Sequence, residues 1–242
     1  MYTWQSHLGA DTPFDPKYHT NPRVEIMSFL RDAPGTVLDV GCGGGATGVL
    51  VKQKFPGTRV IGIEINRSAA EHARAHLDHV ICAAIEDVDL ARELPGERVS
   101  TVLVLDVLEH LYDPWRALQR VHRWLAPGTR VVASVPNIRN LATLSELAGG
   151  DFEYESSGVL DITHVRFFTR NSLRALFEQT GFDVVALEPL TQPDAVDRVV
   201  VNQQPGRIDT RTISIRYESF DDLEDLYALQ YVVDARVGGP AV

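Results

Sequence analysis

The chain has 242 residues, 44% of them hydrophobic, and 23 basic against 33 acidic side chains give a formal charge of −10. That length suits one α/β domain with a sizeable core and speaks against a second full domain. No apolar run approaches the ~18 residues of a membrane span, residues 1–5 lack a signal peptide's basic start and apolar stretch, and the acidic balance repels a phosphate backbone; a soluble, cytoplasmic protein with no nucleic-acid partner is expected.

Residues 1–20 are polar and aromatic with two prolines and read as an irregular arm. Asn21-Pro22 looks like an N-cap with proline in the first turn, opening a helix through Met27 to Arg31 that stops before Pro34-Gly35. Strands and helices then alternate. Residues 36–40 form a short buried strand, 47–55 a helix stopped by Pro56-Gly57, 59–65 a strand, 68–77 a helix and 80–82 a third strand. Residues 99–106 are a continuous apolar run, as expected for a strand covered on both faces. Asp113-Pro114 caps a helix with its apolar stripe at Leu118, Val121 and Leu125, ended by Pro127-Gly128. Residues 130–135 are the fifth strand. A helix opening at Thr169 or Asn171 carries Leu173, Leu176 and Phe177 on one face and closes at Gly181. Residues 183–187 and 231–237 supply the last two strands.

This succession predicts a parallel sheet with right-handed crossovers. The organisation is an arm and helix over 1–35, a core over 36–190, an insertion over 191–230 and the last strand at 231–237. The insertion is too long for a plain hairpin loop, contains a short helix at 220–229, and suits a lid or a homo-oligomer contact. Cys42 and Cys82 lie outside any CxxC or Cys/His cluster, which argues against a disulfide framework or structural zinc. Two arginine groups, Arg166/Arg170/Arg174 and Arg207/Arg211/Arg216, read either as ion-paired solvated faces or as ligand sites.

Gly41, Gly43 and Gly45 stand between a strand and a helix, where glycine lets the backbone approach a ligand at positive φ. Glu64, ending the next strand, can accept hydrogen bonds from a ribose diol. Asp39 would repel a dinucleotide's pyrophosphate but welcome the ammonium of S-adenosylmethionine. After the fourth strand, Asp106, Glu109 and His110 have i, i+3, i+4 spacing and share a face if the chain turns helical there. His164 lies in a long connection that can fold over the same edge. Three readings stay open for these four residues: a histidine base, His110 or His164, that removes an acceptor's proton; a divalent ion such as Mg2+ or Mn2+ held by Asp106, Glu109, His110 and His164; or a purely structural pair that shapes the cofactor pocket.

Val37-Leu38-Asp39-Val40-Gly41-Cys42-Gly43-Gly44-Gly45 resembles the first motif of class I S-adenosylmethionine-dependent methyltransferases, Gly62-Ile63-Glu64 their acid after the second strand, and residues 105–111 their fourth motif. The resemblance runs over roughly 36–190. It implies a Rossmann-like seven-stranded, mostly parallel sheet in the order 3-2-1-4-5-7-6 with helices on both faces and the last strand antiparallel. It also implies site roles: Asp39, Gly41, Cys42 and Gly43 at the methionine moiety, Glu64 at the ribose, Ile65 on adenine, and Asp106 and Val107 on the methionine side. Ala83-Ala84 replace the Gly-Asp common on the third strand, so Ile85 and Glu86, or backbone alone, are left to read adenine.

The Asp-x-x-Glu-His pattern with a distant histidine is similar to the metal cluster of small-RNA 2′-O-methyltransferases and ubiquinone-pathway O-methyltransferases, whose first acid is usually glutamate. Residues 161–170 with Pro136-Asn137 resemble methyltransferases of polysaccharide assembly, which implies O-methylation of a sugar or oligosaccharide hydroxyl, with Tyr112, Trp115, Phe152 and Tyr154 as candidate platforms. The alternative acceptor is a quinone or other small natural product. A non-catalytic, methyltransferase-like binding subunit and a nicotinamide-dependent oxidoreductase are the readings from other classes.

Overall fold

The computed structural model describes residues 9–238, so the reading of residues 1–5 lies outside it. The arm holds one ordered turn, Pro16–His19 (α1), capped by the Asp15 side chain, which accepts from Lys17 N. Where a helix to Arg31 is expected, the chain makes only a 3-10 turn, Val24–Ser28, whose Arg23 cap provides no side-chain hydrogen bond. Without that bond the first turn lacks the device that would extend it.

The core follows in strict alternation: Thr36–Val40 (β1), Ala46–Lys54 (α2), Arg59–Glu64 (β2), Arg67–Ala73 (α3), His79–Cys82 (β3), Leu90–Glu93 (α4), Thr101–Leu105 (β4), Pro114–Trp124 (α5) and Arg130–Pro136 (β5). Leu141–Gly149 (α6), Arg170–Gln179 (α7) and Phe182–Thr191 (β6) come next. The insertion is more ordered than the sequence pattern suggests. It contains Pro193–Asp197 (α8), a small antiparallel sheet of Val200–Gln204 (β7), Arg207–Thr210 (β8) and Ser214–Arg216 (β9), then Phe220–Tyr227 (α9) leading into Ala228–Val237 (β10).

The main sheet runs β3-β2-β1-β4-β5-β10-β6. With β10 counted as the seventh strand, this is the expected order. β10 lies antiparallel to both β5 and β6, and the other pairings are parallel.

Strand alternation feeds two cores. Along β4, Val102 and Val104 face the layer that holds α5 and α7, while Leu103 and Leu105 face the layer that holds α2 and α3. β5 repeats this with Val131 against Val132. At roughly 1.5–3 kcal/mol per fully buried aliphatic side chain, these central strands contribute much of the driving force. A third cluster, Leu141, Val196, Ile208 and Leu226, joins α6 to the insertion. The strand order reverses on either side of β1, which opens a crevice beyond the carboxyl ends of β1 and β4. Among the described residues no helix is long and apolar enough to cross a membrane.

Candidate active site

A cavity of about 620 Å3 occupies that crevice. One wall begins where β1 ends. Gly41 N and Cys42 N both donate to Ile63 O, at 2.8 and 3.1 Å, and Gly43 N donates to Glu64 Oε2 at 2.9 Å. The loop is thereby tied to the end of β2. Gly43 has φ +53°, and a Cβ there would lie 2.6 Å from the His19 carbonyl oxygen, so backbone packs where any other residue would place a side chain.

The arm forms a roof over this loop. Gly44 N donates to His19 O at 2.6 Å, Arg23 N donates to Thr47 Oγ1 at 3.1 Å, and the Arg23 guanidinium pairs with Asp106 Oδ2. The Phe14 ring stacks on His72 at 4.8 Å, and Asn66 Nδ2 donates to Gly9 O and Thr12 O, which fixes the arm to α3.

Asp39 is 2% exposed, and its Oδ2 finds no hydrogen bond. Burial, reinforced by the Glu64 carboxylate, pushes its pKa up to about 7. The cavity therefore holds an under-satisfied acid at the end of β1, a second acid at the end of β2, and two cationic side chains of the arm, Lys17 and Arg23. That donor set fits the ammonium, ribose hydroxyls and carboxylate of S-adenosylmethionine. It fits a pyrophosphate poorly, since two carboxylates would face the dianion. Tyr18 also lines the cavity; burial, then the charges of Asp161, Glu109, Glu64 and Asp106, hold its phenol well above the usual range and keep it a neutral donor.

The opposite wall is assembled from distant segments. Leu108–His110 is a single 3-10 turn after β4. The connection carrying His164 is stitched to it, because Val165 N and Arg166 N both donate to Glu109 O, at 2.9 and 3.0 Å. Glu109, His110 and His164 can thus bring one ligand atom each to within 4.8 Å of one another. The imidazoles lie edge to face, centroids 4.8 Å apart. His164 Nδ1 donates to Val159 O at 3.0 Å, which leaves its Nε2 as the ring's lone-pair atom, and His110 Nδ1 lies 3.3 Å from Thr163 O and 3.1 Å from Thr163 Oγ1. Glu109 is 1% exposed, and neither carboxylate oxygen has a hydrogen bond; the nearest cationic candidate, His164 Nε2, lies 3.9 Å away. Burial, with Asp106 adding to it, raises the Glu109 pKa well above the usual carboxylate range. Burial and the neighbouring His164 lower that of His110 to about 4.

Every residue singled out for cofactor or catalysis lines this one cavity: Asp39, Gly41, Cys42, Gly43, Glu64, Ile65, Ile85, Glu86, Asp106, Val107, Glu109, His110 and His164. Asp106 is nevertheless not in the ligand trio. The chain does not become α-helical there: Asp106 has φ +51°, and its carboxylate is engaged by Ser134 Oγ at 2.7 Å and by Arg23. Tyr112, Trp115, Phe152 and Tyr154 are exposed and absent from the cavity wall. In the arginine groups, Arg170 pairs with Asp225 at 2.9 Å and Arg207 with Asp209 at 2.8 Å, as the ion-pair reading expects. Tyr18, Arg23 and Asp161 are cavity residues the sequence pattern missed. Arg23 stood beside a helix-start signal, which absorbed it.

Residues 18–187 match the family described as methyltransferase domain. A ubiquinone biosynthesis O-methyltransferase of Pseudomonas paraeruginosa is 32% identical over 189 residues, covering 75% of this chain and 79% of that protein. Among solved structures, an S-adenosylmethionine-dependent methyltransferase of Archaeoglobus fulgidus superposes with a TM-score of 0.59 at 19% identity, covering 91% of this chain and 97% of the other. Magnesium protoporphyrin IX methyltransferase of Synechocystis PCC 6803, with bound S-adenosylhomocysteine, gives 0.54 at 16% identity over 88% and 80%.

Proposed function

The chain belongs to the methyltransferase domain family and is an S-adenosylmethionine-dependent enzyme, and from that premise we propose that it methylates a hydroxyl of a small non-sugar molecule, with a divalent cation held by Glu109, His110 and His164. One observation carries the reading. Glu109 is a buried carboxylate with no hydrogen bond, facing two imidazoles whose Nδ1 atoms are already committed. An unpaired charge in such a place is costly, and a cation removes the cost. A hydrogen-bonded Nδ1 is also the usual support of a metal-ligating histidine.

The cofactor supplies an electrophilic methyl carbon on a positively charged sulfur. Asp39 would accept from the methionine ammonium, Arg23 would serve its carboxylate, Glu64 would accept from the ribose hydroxyls, and Ile65, Ile85 and Glu86 would hold adenine. Methyl transfer would join the acceptor oxygen to that carbon as its bond to sulfur breaks and the neutral thioether leaves, and the hydroxyl proton would pass to solvent. A cation on the trio would lower that hydroxyl's pKa and orient a neighbouring oxygen. A histidine base without metal is the second reading. For His110 it is less well supported, because a general base works best with a pKa near the operating pH, and burial and the neighbouring His164 lower that of His110 to about 4.

A sugar acceptor, the first expectation from residues 161–170, gives way to the non-sugar alternative. The curated relative is named for ubiquinone biosynthesis, and the aromatic side chains suggested as sugar platforms do not line the cavity. The test is methyl transfer to catechol and to a methyl glycoside, each with and without chelator, beside calorimetry of the cofactor alone. Catechol methylation that chelator stops and Mn2+ or Mg2+ restores is expected, with cofactor binding unaffected. Turnover in fully chelated protein would remove the metal; methylation of the glycoside alone would restore the sugar reading.

A further inference from the structure

We propose that Asp161 and Thr163 are positioning residues that fix which ring nitrogen of His110 carries the proton, through an Asp161–Thr163–His110 relay. The inference rests on the reading that His110 Nε2 faces the reaction, and it concerns what keeps that atom bare.

His110 Nδ1 has two partners, Thr163 O at 3.3 Å and Thr163 Oγ1 at 3.1 Å. The carbonyl can only accept. The hydroxyl could accept or donate, and a donated proton would turn the imidazole round, leaving Nε2 protonated. Asp161 decides the matter. Its Oδ1 takes the Thr163 hydroxyl proton at 2.6 Å, and a carboxylate cannot return one. Thr163 Oγ1 then presents only lone pairs to His110, both partners of Nδ1 are acceptors, and the ring proton is held on Nδ1. The same Asp161 oxygen accepts Thr163 N at 2.8 Å, and Thr163 O lies in the segment stitched to Glu109, so the relay is rigid at both ends. Asp161 is itself buried.

His164 needs no such device. Its Nδ1 meets one partner, the Val159 carbonyl, at 3.0 Å, which is acceptor-only already. His110 is the imidazole of the pair whose partner is chemically ambiguous, and it is the one beside an added carboxylate.

The experiment is two-bond 1H–15N correlation on the full chain labelled in histidine, at neutral pH and without metal, with the His110 signal identified by its loss in His110→Gln. Wild type and Thr163→Ser are expected to show His110 with Nδ1 protonated and Nε2 bare. Asp161→Ala frees the Thr163 hydroxyl to donate to His110 Nδ1, and a substantial share of His110 should invert. Asp161→Ala/Thr163→Val removes that hydroxyl and should restore the wild-type pattern. A merely structural role predicts the opposite, a double variant no better than the single one. Mn2+ affinity by calorimetry should follow the tautomer, falling roughly 10- to 100-fold in Asp161→Ala, the usual range for an outer partner of a metal ligand, and recovering in the double variant. A folded Asp161→Ala with the wild-type pattern overturns the relay. So does a protonated Nε2 in the wild type, which needs no variant to fold. If wild type takes up no Mn2+, the metal reading fails while the nitrogen signals still decide the relay.

Discussion

The two walls of the cavity are built on different principles. The cofactor wall is nearly continuous in sequence. Gly41, Cys42 and Gly43 follow β1, their amides are taken up by Ile63 and Glu64 one strand away, and Asp39 is its one under-satisfied acid. The acceptor wall is drawn from two remote pieces, the turn after β4 and the connection around Asp161–His164. It leaves the Glu109 carboxylate unpaired and holds Asp106 at φ +51°, a conformation in which a non-glycine residue is strained. The contrast suggests a division of labour. The first wall is a preformed cradle whose backbone is satisfied before any ligand arrives. The second keeps an unpaired buried carboxylate, Glu109, that a bound cation would satisfy.

The largest predicted effect separates the walls outright. His164→Ala removes an imidazole from the acceptor wall and touches nothing on the glycine loop. Turnover should fall at least roughly 100-fold, as expected when a metal-orienting group is lost, while the cofactor dissociation constant stays within about threefold. Steady-state kinetics beside calorimetry reads both. Wild-type-like turnover, or a loss of cofactor affinity matching the loss of rate, would show that the walls do not act separately.

The same contrast governs what could be read from the sequence. The cofactor wall was legible because its signals are local: an apolar run, glycines at the turn, an acid one strand later, each within a few residues of the feature it marks. β1 falls on the expected 36–40, and the reversal of strand order around it is what the resemblance of the glycine motif to class I methyltransferases implied, since the alternation of elements alone implies only a parallel sheet. The acceptor wall was legible only as a spacing. Asp106, Glu109 and His110 share a face on an α-helix, but Ser134 and Arg23 hold Asp106 out of that geometry, and both partners are far away in sequence. Tyr18 and Arg23 reach the cavity through long-range contacts of the arm, among them His19 O with Gly44 N and Arg23 N with Thr47 Oγ1, which have no local signature. The strands of the insertion escaped for another reason. β7 reads Val-Val-Asn-Gln-Gln and buries none of its side chains fully, so no period-two apolar pattern marks it.

A smaller effect tests whether the cradle is preformed. In Gly43→Ala the new Cβ would stand 2.6 Å from the His19 carbonyl oxygen, at a φ of +53° that L-residues adopt at a cost of roughly 1–2 kcal/mol. The arm must lift. Cofactor affinity should fall about tenfold, which corresponds to about 1.4 kcal/mol, with turnover at saturating cofactor close to wild type. Limited proteolysis should find the arm more open to cleavage. Unchanged affinity with an intact arm would mean that the glycine is dispensable and the roof plays no part in holding the cofactor.

The smallest effect lies within the cofactor wall and depends on pH. Asp39 has a pKa of about 7 in the ligand-free protein against a usual 3.8, burial being the main cause and Glu64 the second. Between those values the folded state keeps a proton that the unfolded chain has released. The stability this group contributes is therefore complete in acid and is lost as pH rises toward 7, by about 4 kcal/mol at most, each pKa unit being worth about 1.4 kcal/mol. Cofactor binding runs the other way. An ammonium favours the carboxylate, so affinity should weaken as pH drops below about 7, up to about tenfold per unit. Asp39→Asn should flatten both curves, raising the ligand-free thermal midpoint at pH 7 relative to wild type while binding the cofactor more weakly there. Calorimetry and thermal denaturation across pH 5 to 8 in both proteins read the two slopes. Parallel slopes would contradict the assignment, because one proton on one carboxylate has to move stability and affinity in opposite directions.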